Sequence, residues 1–212
     1  TWGVRSTDFC WASIVISPAF ILFTIFYLWI LKGCFHHSDP TASKAAMVAR
    51  RVREIGQREM QEAGYAAVGE FHYVHHQPGG RAYADIAELS NRIFAAAHLT
   101  GIGLTHLPVL YSYGGAGQQP LAAGQLRFGN TVDGFAALLE ATRAAARELP
   151  ADTCVGIAPH SLRATNPEGP ARALPLAAGN PIHIHVAEQP KEVADISAWL
   201  GARPVEWLLA NT

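Results

Sequence analysis

The chain has 212 residues, 50% of them hydrophobic and 16% charged, which is enough apolar material for a sizeable core and too much for a disordered chain. Its 16 basic and 17 acidic side chains show no clustering of Lys and Arg of the kind a nucleic-acid surface needs, so small-molecule chemistry is the class to pursue. Three cysteines, Cys10, Cys34 and Cys154, are an odd number without a CxxC spacing, which argues against a disulfide framework or a structural zinc knot and fits a reducing compartment.

The sequence opens on Thr1 rather than Met and is read as processed or incomplete. No formal charge occurs between Asp8 and Lys32, leaving residues 9–31 as an apolar run of 23. A membrane-spanning helix needs ~20 such residues. Trp11 and Trp29 stand near the ends of the run, and Lys32 followed by Arg50, Arg51 and Arg53 would place its C-terminal side in the cytoplasm. A buried helix, a signal-like segment and translated sequence foreign to the functional gene are the competing readings. The cleaved signal is the weakest of these, because the preceding charge is low and no small-residue cleavage pattern follows. The pattern changes at 36–42, dividing an apolar segment, 1–41, from an α/β-patterned remainder, 42–212.

Asp39, Pro40 and Thr41 form a helix-start signal, since a side-chain oxygen there can accept the first free helix N–H groups. Ala45, Val48, Val52 and Ile55 then recur at helical spacing, with Arg50, Arg51 and Glu54 on the other side and Gly64 as the stop. Strands are predicted over 66–74, 102–110, 153–158 and 181–187. Helices are predicted over 83–99, 131–149, 191–200 and 204–211. Alternation of this kind implies a parallel sheet that right-handed crossovers can roll into a barrel. Four such units make half of an eight-stranded one.

Polar residues crowd the C-terminal ends of the predicted strands, the catalytic face of such barrels. The first strand ends GEFHYVHH (69–76), the second LPVLYSYGGAG (107–117), the third APHSLRA (158–164), and the fourth is PIHIHVAEQ (181–189). Side chains alternate along a strand, so His183 and His185 face the same way, where neutral imidazoles can bind a divalent metal. Glu188 at the strand mouth can carry protons for a metal-bound water. A hydrogen-bonded structural pair is the bland alternative. His160 and Arg163 suggest an anion clamp, with guanidinium gripping a carboxylate; a solvated Arg163, or one paired with Glu168, is the alternative. His72, His75 and His76 are open between ligands, substrate contacts and packed residues. Tyr73 faces away from His72 if the strand is regular, so the two cannot both line one pocket. The SYGGAGQQ loop lacks the GxxxxGK[ST] pattern of a phosphate-binding loop.

Five motifs in order, EAGYAAVGEFHYVHH, YADIAELSNRI, GIGLTHLPVLYS, HSLRA and PIHIHVAEQPKEV, resemble consecutive segments of the formimidoylglutamate deiminases of the amidohydrolase superfamily. The resemblance covers roughly 60–212. It implies a (β/α)8 TIM barrel holding one Zn2+, of which this chain carries about strands 2–5 after its apolar N-terminal helix. It also implies hydrolysis of N-formimino-L-glutamate to N-formyl-L-glutamate and ammonia in histidine degradation, by a cytoplasmic homo-oligomer. Carried over residue by residue, His185 resembles the zinc ligand from the fifth strand, Glu188 the proton shuttle and Gln189 its supporting neighbour. His160 and Arg163 resemble the pair that grips the glutamate carboxylate, and Tyr73 a further substrate contact.

The chain also departs from that pattern. An HxH from the first strand should lie upstream of residue 42, and His36 and His37 are adjacent rather than alternating. A later histidine and a metal-binding aspartate would fall after residue 212. With one zinc ligand of the set, the chain alone is expected to bind zinc weakly, to lack appreciable deiminase activity and to show an open sheet with unpaired edges. Two other readings stay in view. One is a deaminase for a guanine-like base, against which HSLR argues because a neutral base gives Arg163 no carboxylate. The other is a membrane-tethered, noncatalytic remnant held by residues 9–31.

Overall fold

The structure, a computed structural model, describes residues 42–212. The apolar run 9–31 and the helix expected of it lie outside the described residues. Among the described residues no helix is long and apolar enough to cross a membrane.

The first described element is helix α1 (Ala42–Glu62), and Gly64 beyond it takes φ +93°, a conformation glycine adopts without a Cβ penalty. Strand β1 (Ala67–His72) leads through a loop to α2 (Glu88–Thr100), β2 (Gly103–Leu110) and α3 (Val132–Ala146). Two short strands follow, β3 (Cys154–Val155) and β4 (Ala158–Pro159), then α4 (Glu168–Ala173), α5 (Pro190–Leu200) and α6 (Pro204–Asn211). All pairings between these strands are parallel, with Ala67 opposite Gly103 at one end of the β1–β2 ladder and His72 opposite Pro108 at the other. Among the described residues the sheet runs β1–β2–β3, with β4 also pairing β2, and does not close on itself.

Alternation along the strands sorts the side chains onto two faces. One face, carrying Leu104, Leu110, Val155 and Ile157, packs against Ile93, Phe94 and Ala97 of α2 and Phe135, Leu138 and Leu139 of α3. Burying such side chains is worth ~1.5–3 kcal/mol each, so this layer is what holds the sheet. The other face carries Leu107, Val109, Tyr111 and Ala158, packed with Phe71, Tyr73 and Phe128. Among the described residues no helix packs into that second cluster; it is the side, here called concave, on which a barrel interior would lie.

Three of the departures from the sequence-based expectation have a local reason. α2 starts at Glu88 rather than 83, because the Asp85 carboxylate accepts the Ala87 N–H at 2.9 Å and the Asn91 side-chain amide at 2.8 Å, holding 85–87 in a turn. The strand expected over 153–158 is split at Gly156, where a Cβ would stand 2.1 Å from the Pro181 carbonyl oxygen. The segment expected as a strand over 181–187 pairs on one side only. It bridges Ile157 through Ile182, its Pro181 has no N–H to offer, and its ladder consists of Ile157 N–H donating to Pro181 O (3.0 Å), His183 N–H to Ile157 O (3.0 Å) and His185 N–H to His160 O (2.9 Å).

Candidate functional site

The site is assembled where the strands end. Tyr73 follows directly on β1 and keeps its alternation, so its ring joins Phe71 on the concave face while His72 turns to the helix side. That settles which of the two adjacent residues lines the site. β4 hands the chain to His160, whose N–H donates to Leu110 O at 3.0 Å, and the ladder bond from His185 N–H to His160 O brings the 181–187 segment alongside. Three rings thereby converge. The Tyr73 hydroxyl and His185 Nε2 share a hydrogen bond of 2.8 Å, the His160 and His185 ring centres lie 5.2 Å apart, and Tyr73 and His160 lie 5.6 Å apart.

Burial sets the charge state of this cluster. Burial, then the neighbouring His185 and Arg163, hold His160 down to about 3. Burial and His185 hold His183 down to about 4, its ring edge-on to Phe71 at 3.9 Å. Burial followed by the charge of Glu188 pushes the Tyr73 phenol up to about 12. At neutral pH His160 and His183 are thus neutral imidazoles and Tyr73 an intact phenol, each able to serve as hydrogen-bond donor or acceptor.

Arg163 stands in the turn after β4. The turn is pinned from both sides: Thr165 N–H and Ala164 N–H donate to Ser161 O, and Ser112 and Tyr113 N–H both donate to Ala164 O. From that base Arg163 Nη2 reaches Glu188 Oε2 at 3.2 Å, with the two side chains 31% and 50% exposed. Glu188 is itself held at the backbone, where its N–H donates to the buried carboxylate of Glu192 at 2.9 Å, one residue after Ala187 turns the chain at φ +53°. Gln189 is exposed at the N-cap of α5 and makes no capping hydrogen bond with its side chain.

The remaining histidines of the first motif are structural. His75 Nε2 donates to Val109 O and His76 Nε2 to Gly129 O, both at 2.9 Å, and both backbone N–H groups donate to Arg127 O. Sequence reasoning missed Phe71, Tyr111 and Glu192. Phe71 and Tyr111 were available from period-two alternation once Tyr73 and Val109 were assigned to the concave face; Tyr111 stacks edge-on to His160 at 4.7 Å. Glu192 occupies the third position of a helix that opens with Pro190, where an acidic side chain folds back on the preceding backbone.

No family model matches the chain. A formimidoylglutamate deiminase of Pseudomonas aeruginosa (strain PAO1) is 53% identical over 156 residues, which cover 72% of this chain and 34% of that protein. Over that stretch the chain is a homologue of formimidoylglutamate deiminase. Among solved structures, an amidohydrolase from Brucella melitensis superposes with a TM-score of 0.72 at 40% identity, covering 84% of this chain and 42% of its own. An atrazine chlorohydrolase mutant from Arthrobacter aurescens, complexed with zinc and atraton, superposes at 0.64 with 17% identity, covering 92% and 40%; that likeness speaks to the fold alone. The chain thus spans about a third of the length of its deiminase relative.

The zinc that resemblance to formimidoylglutamate deiminase implies can be tested on the donors present. His160 Nδ1 is engaged by Ser161 Oγ at 2.7 Å and His185 Nε2 by Tyr73. Among the described residues no group of three or more His, Cys, Asp or Glu side chains is placed to hold a metal ion. A catalytic zinc takes at least three protein ligands. The described residues do not fit a zinc on their own.

Proposed function

We propose that this chain forms the substrate-gripping part of a hydrolase that cleaves the C–N bond of the linear amidine N-formimino-L-glutamate, with water giving N-formyl-L-glutamate and ammonia. The observation that supports this reading is that Tyr73 lies beside His160 and Arg163 pairs with Glu188 past the C-terminal ends of parallel strands, on a chain 53% identical to a formimidoylglutamate deiminase. Arg163 and His160 hold the glutamate carboxylate, and the Tyr73 phenol, kept protonated by burial, orients the formimino group by donating to it. Glu188 takes the proton of the attacking water and returns it to the departing amine. Gln189, one residue on, supports Glu188, and His185 is the residue through which a metal completed by further ligands would act. A guanine-like substrate is disfavoured, because a neutral base leaves Arg163 without an anion.

The test is a chimera in which residues 60–212 replace the aligned stretch of the Pseudomonas aeruginosa deiminase. Ammonia release from N-formimino-L-glutamate well above release from guanine is the expected result; the reverse preference would sink the reading. The chain by itself is expected to release no appreciable ammonia.

A further inference from the structure

The pairing of Arg163 with Glu188 joins the residue proposed to grip substrate to the residue proposed to move its proton. Three features make this contact a displaceable one. It is a single bond, Nη2 to Oε2 at 3.2 Å, although a guanidinium can offer a carboxylate two parallel donors. Both side chains are open to solvent, so a ligand reaches either without a rearrangement of the core. And both are mounted on fixed backbone, Arg163 in the turn pinned by Ser112 and Tyr113, Glu188 on the Glu192 carboxylate, so breaking the pair moves side chains only.

We propose that the substrate's carboxylate and Glu188 compete for Arg163, so that substrate binding itself releases Glu188 from its cation. The inference rests on the reading of Arg163 as the carboxylate grip. Its consequence is a coupling between recognition and reactivity. While Glu188 is bonded to Arg163 that carboxylate oxygen is engaged; a ligand carboxylate that takes over the guanidinium leaves it open to the reacting water. A ligand carrying a carboxylate therefore frees Glu188, whereas a neutral ligand of the same size leaves it bonded to Arg163. Both charges already act on the Tyr73 phenol, in opposite senses, which puts the pair beside the hydroxyl that orients the reacting group.

The experiment is calorimetric titration of the full chain with N-formyl-L-glutamate at pH 7, in wild type and in the variants Glu188→Gln, Arg163→Gln and Glu140→Gln. Removing the competitor is expected to tighten binding about fivefold, the equivalent of ~1 kcal/mol for a half-exposed pair. Arg163→Gln loses binding, and Glu140→Gln, which removes an exposed charge on α3, leaves it unchanged. If Glu188→Gln binds no more tightly than wild type while Arg163→Gln still loses binding, the competition is wrong and the grip stands. Equal tightening by Glu140→Gln would reduce the effect to net charge and overturn the proposal. Absence of binding in wild type and Glu188→Gln alike would overturn the grip and the competition together.

Discussion

Two arginine–glutamate pairs sit on opposite faces of one sheet, and they are built differently. On the helix side Arg53 of α1 meets Glu70 of β1 through two bonds, 2.7 and 3.0 Å, with side chains 15% and 7% exposed. On the concave side Arg163 meets Glu188 through one bond, half in solvent. Burial pushes the Glu70 carboxyl up and Arg53 pulls it back, so each partner makes the other's burial tolerable. Nothing of the kind binds Glu188 to its partner. The same two residue types thus make a fixed structural tie in one place and an exchangeable contact in the other, and solvent access decides which.

The sharpest way to break this comparison is to remove one partner at each site. Glu70→Ala breaks a buried ion pair by removing its carboxylate and should cost ~3–5 kcal/mol in urea unfolding, whereas the double change Arg53→Met with Glu70→Leu should restore most of the loss. A cost below ~1 kcal/mol for the single variant would mean that the helix-side pair is no more structural than its counterpart.

The helix side also holds a buried histidine group absent from the solvent-facing pair. Burial lowers His75 to about 4 and His106 to about 3, and holds His72, edge-on to His75 and tilted against His106, well below its ordinary range. These histidines are neutral in the fold and gain protons in the unfolded chain below pH ~6.5, so the unfolded state binds more protons as pH falls. Stability is therefore full above pH ~6.5 and declines on acidification towards the folded values, by ~2 kcal/mol for each such histidine at pH 5. Urea midpoints across pH 5–7 check the sign, and His106→Leu should flatten the slope by about one histidine's share.

A smaller effect is expected at α3, where Thr131 Oγ1 accepts the Gly134 N–H at 3.0 Å; Thr131→Ala should cost ~1 kcal/mol. The smallest belongs to the concave pair, since Arg163→Gln should change stability by less than ~1 kcal/mol. A loss comparable to that of Glu70→Ala would erase the distinction between the two faces.

The contrast also explains what could be read ahead of the structure. Alternation and helical spacing carry the parallel sheet and its helices, because they record which residues must be buried regardless of neighbours. The same alternation leaves Tyr73 and His72 on opposite faces, and the only missing step was which face was which. Tertiary partners were not legible in this way. That His75 and His76 are consumed by the Val109 and Gly129 carbonyls depends on where strand β2, 34 residues away, and a loop 53 residues away come to lie. Sequence pointed Arg163 at Glu168 as its structural alternative, yet its partner is Glu188, 25 residues on, which the 181–187 ladder brings into reach. The helix-start reading at 39–41 and the apolar run 9–31 fall outside the described residues.

The central claim is that the concave face recognises a glutamate-like anion through Arg163. Calorimetric titration of N-formyl-L-glutamate into wild-type chain and Arg163→Gln tests it most directly. The account expects saturable binding to wild type, weakened about ten- to a hundredfold in the variant, the range for losing a hydrogen bond to a charged group. Equal affinity for the two proteins would contradict it.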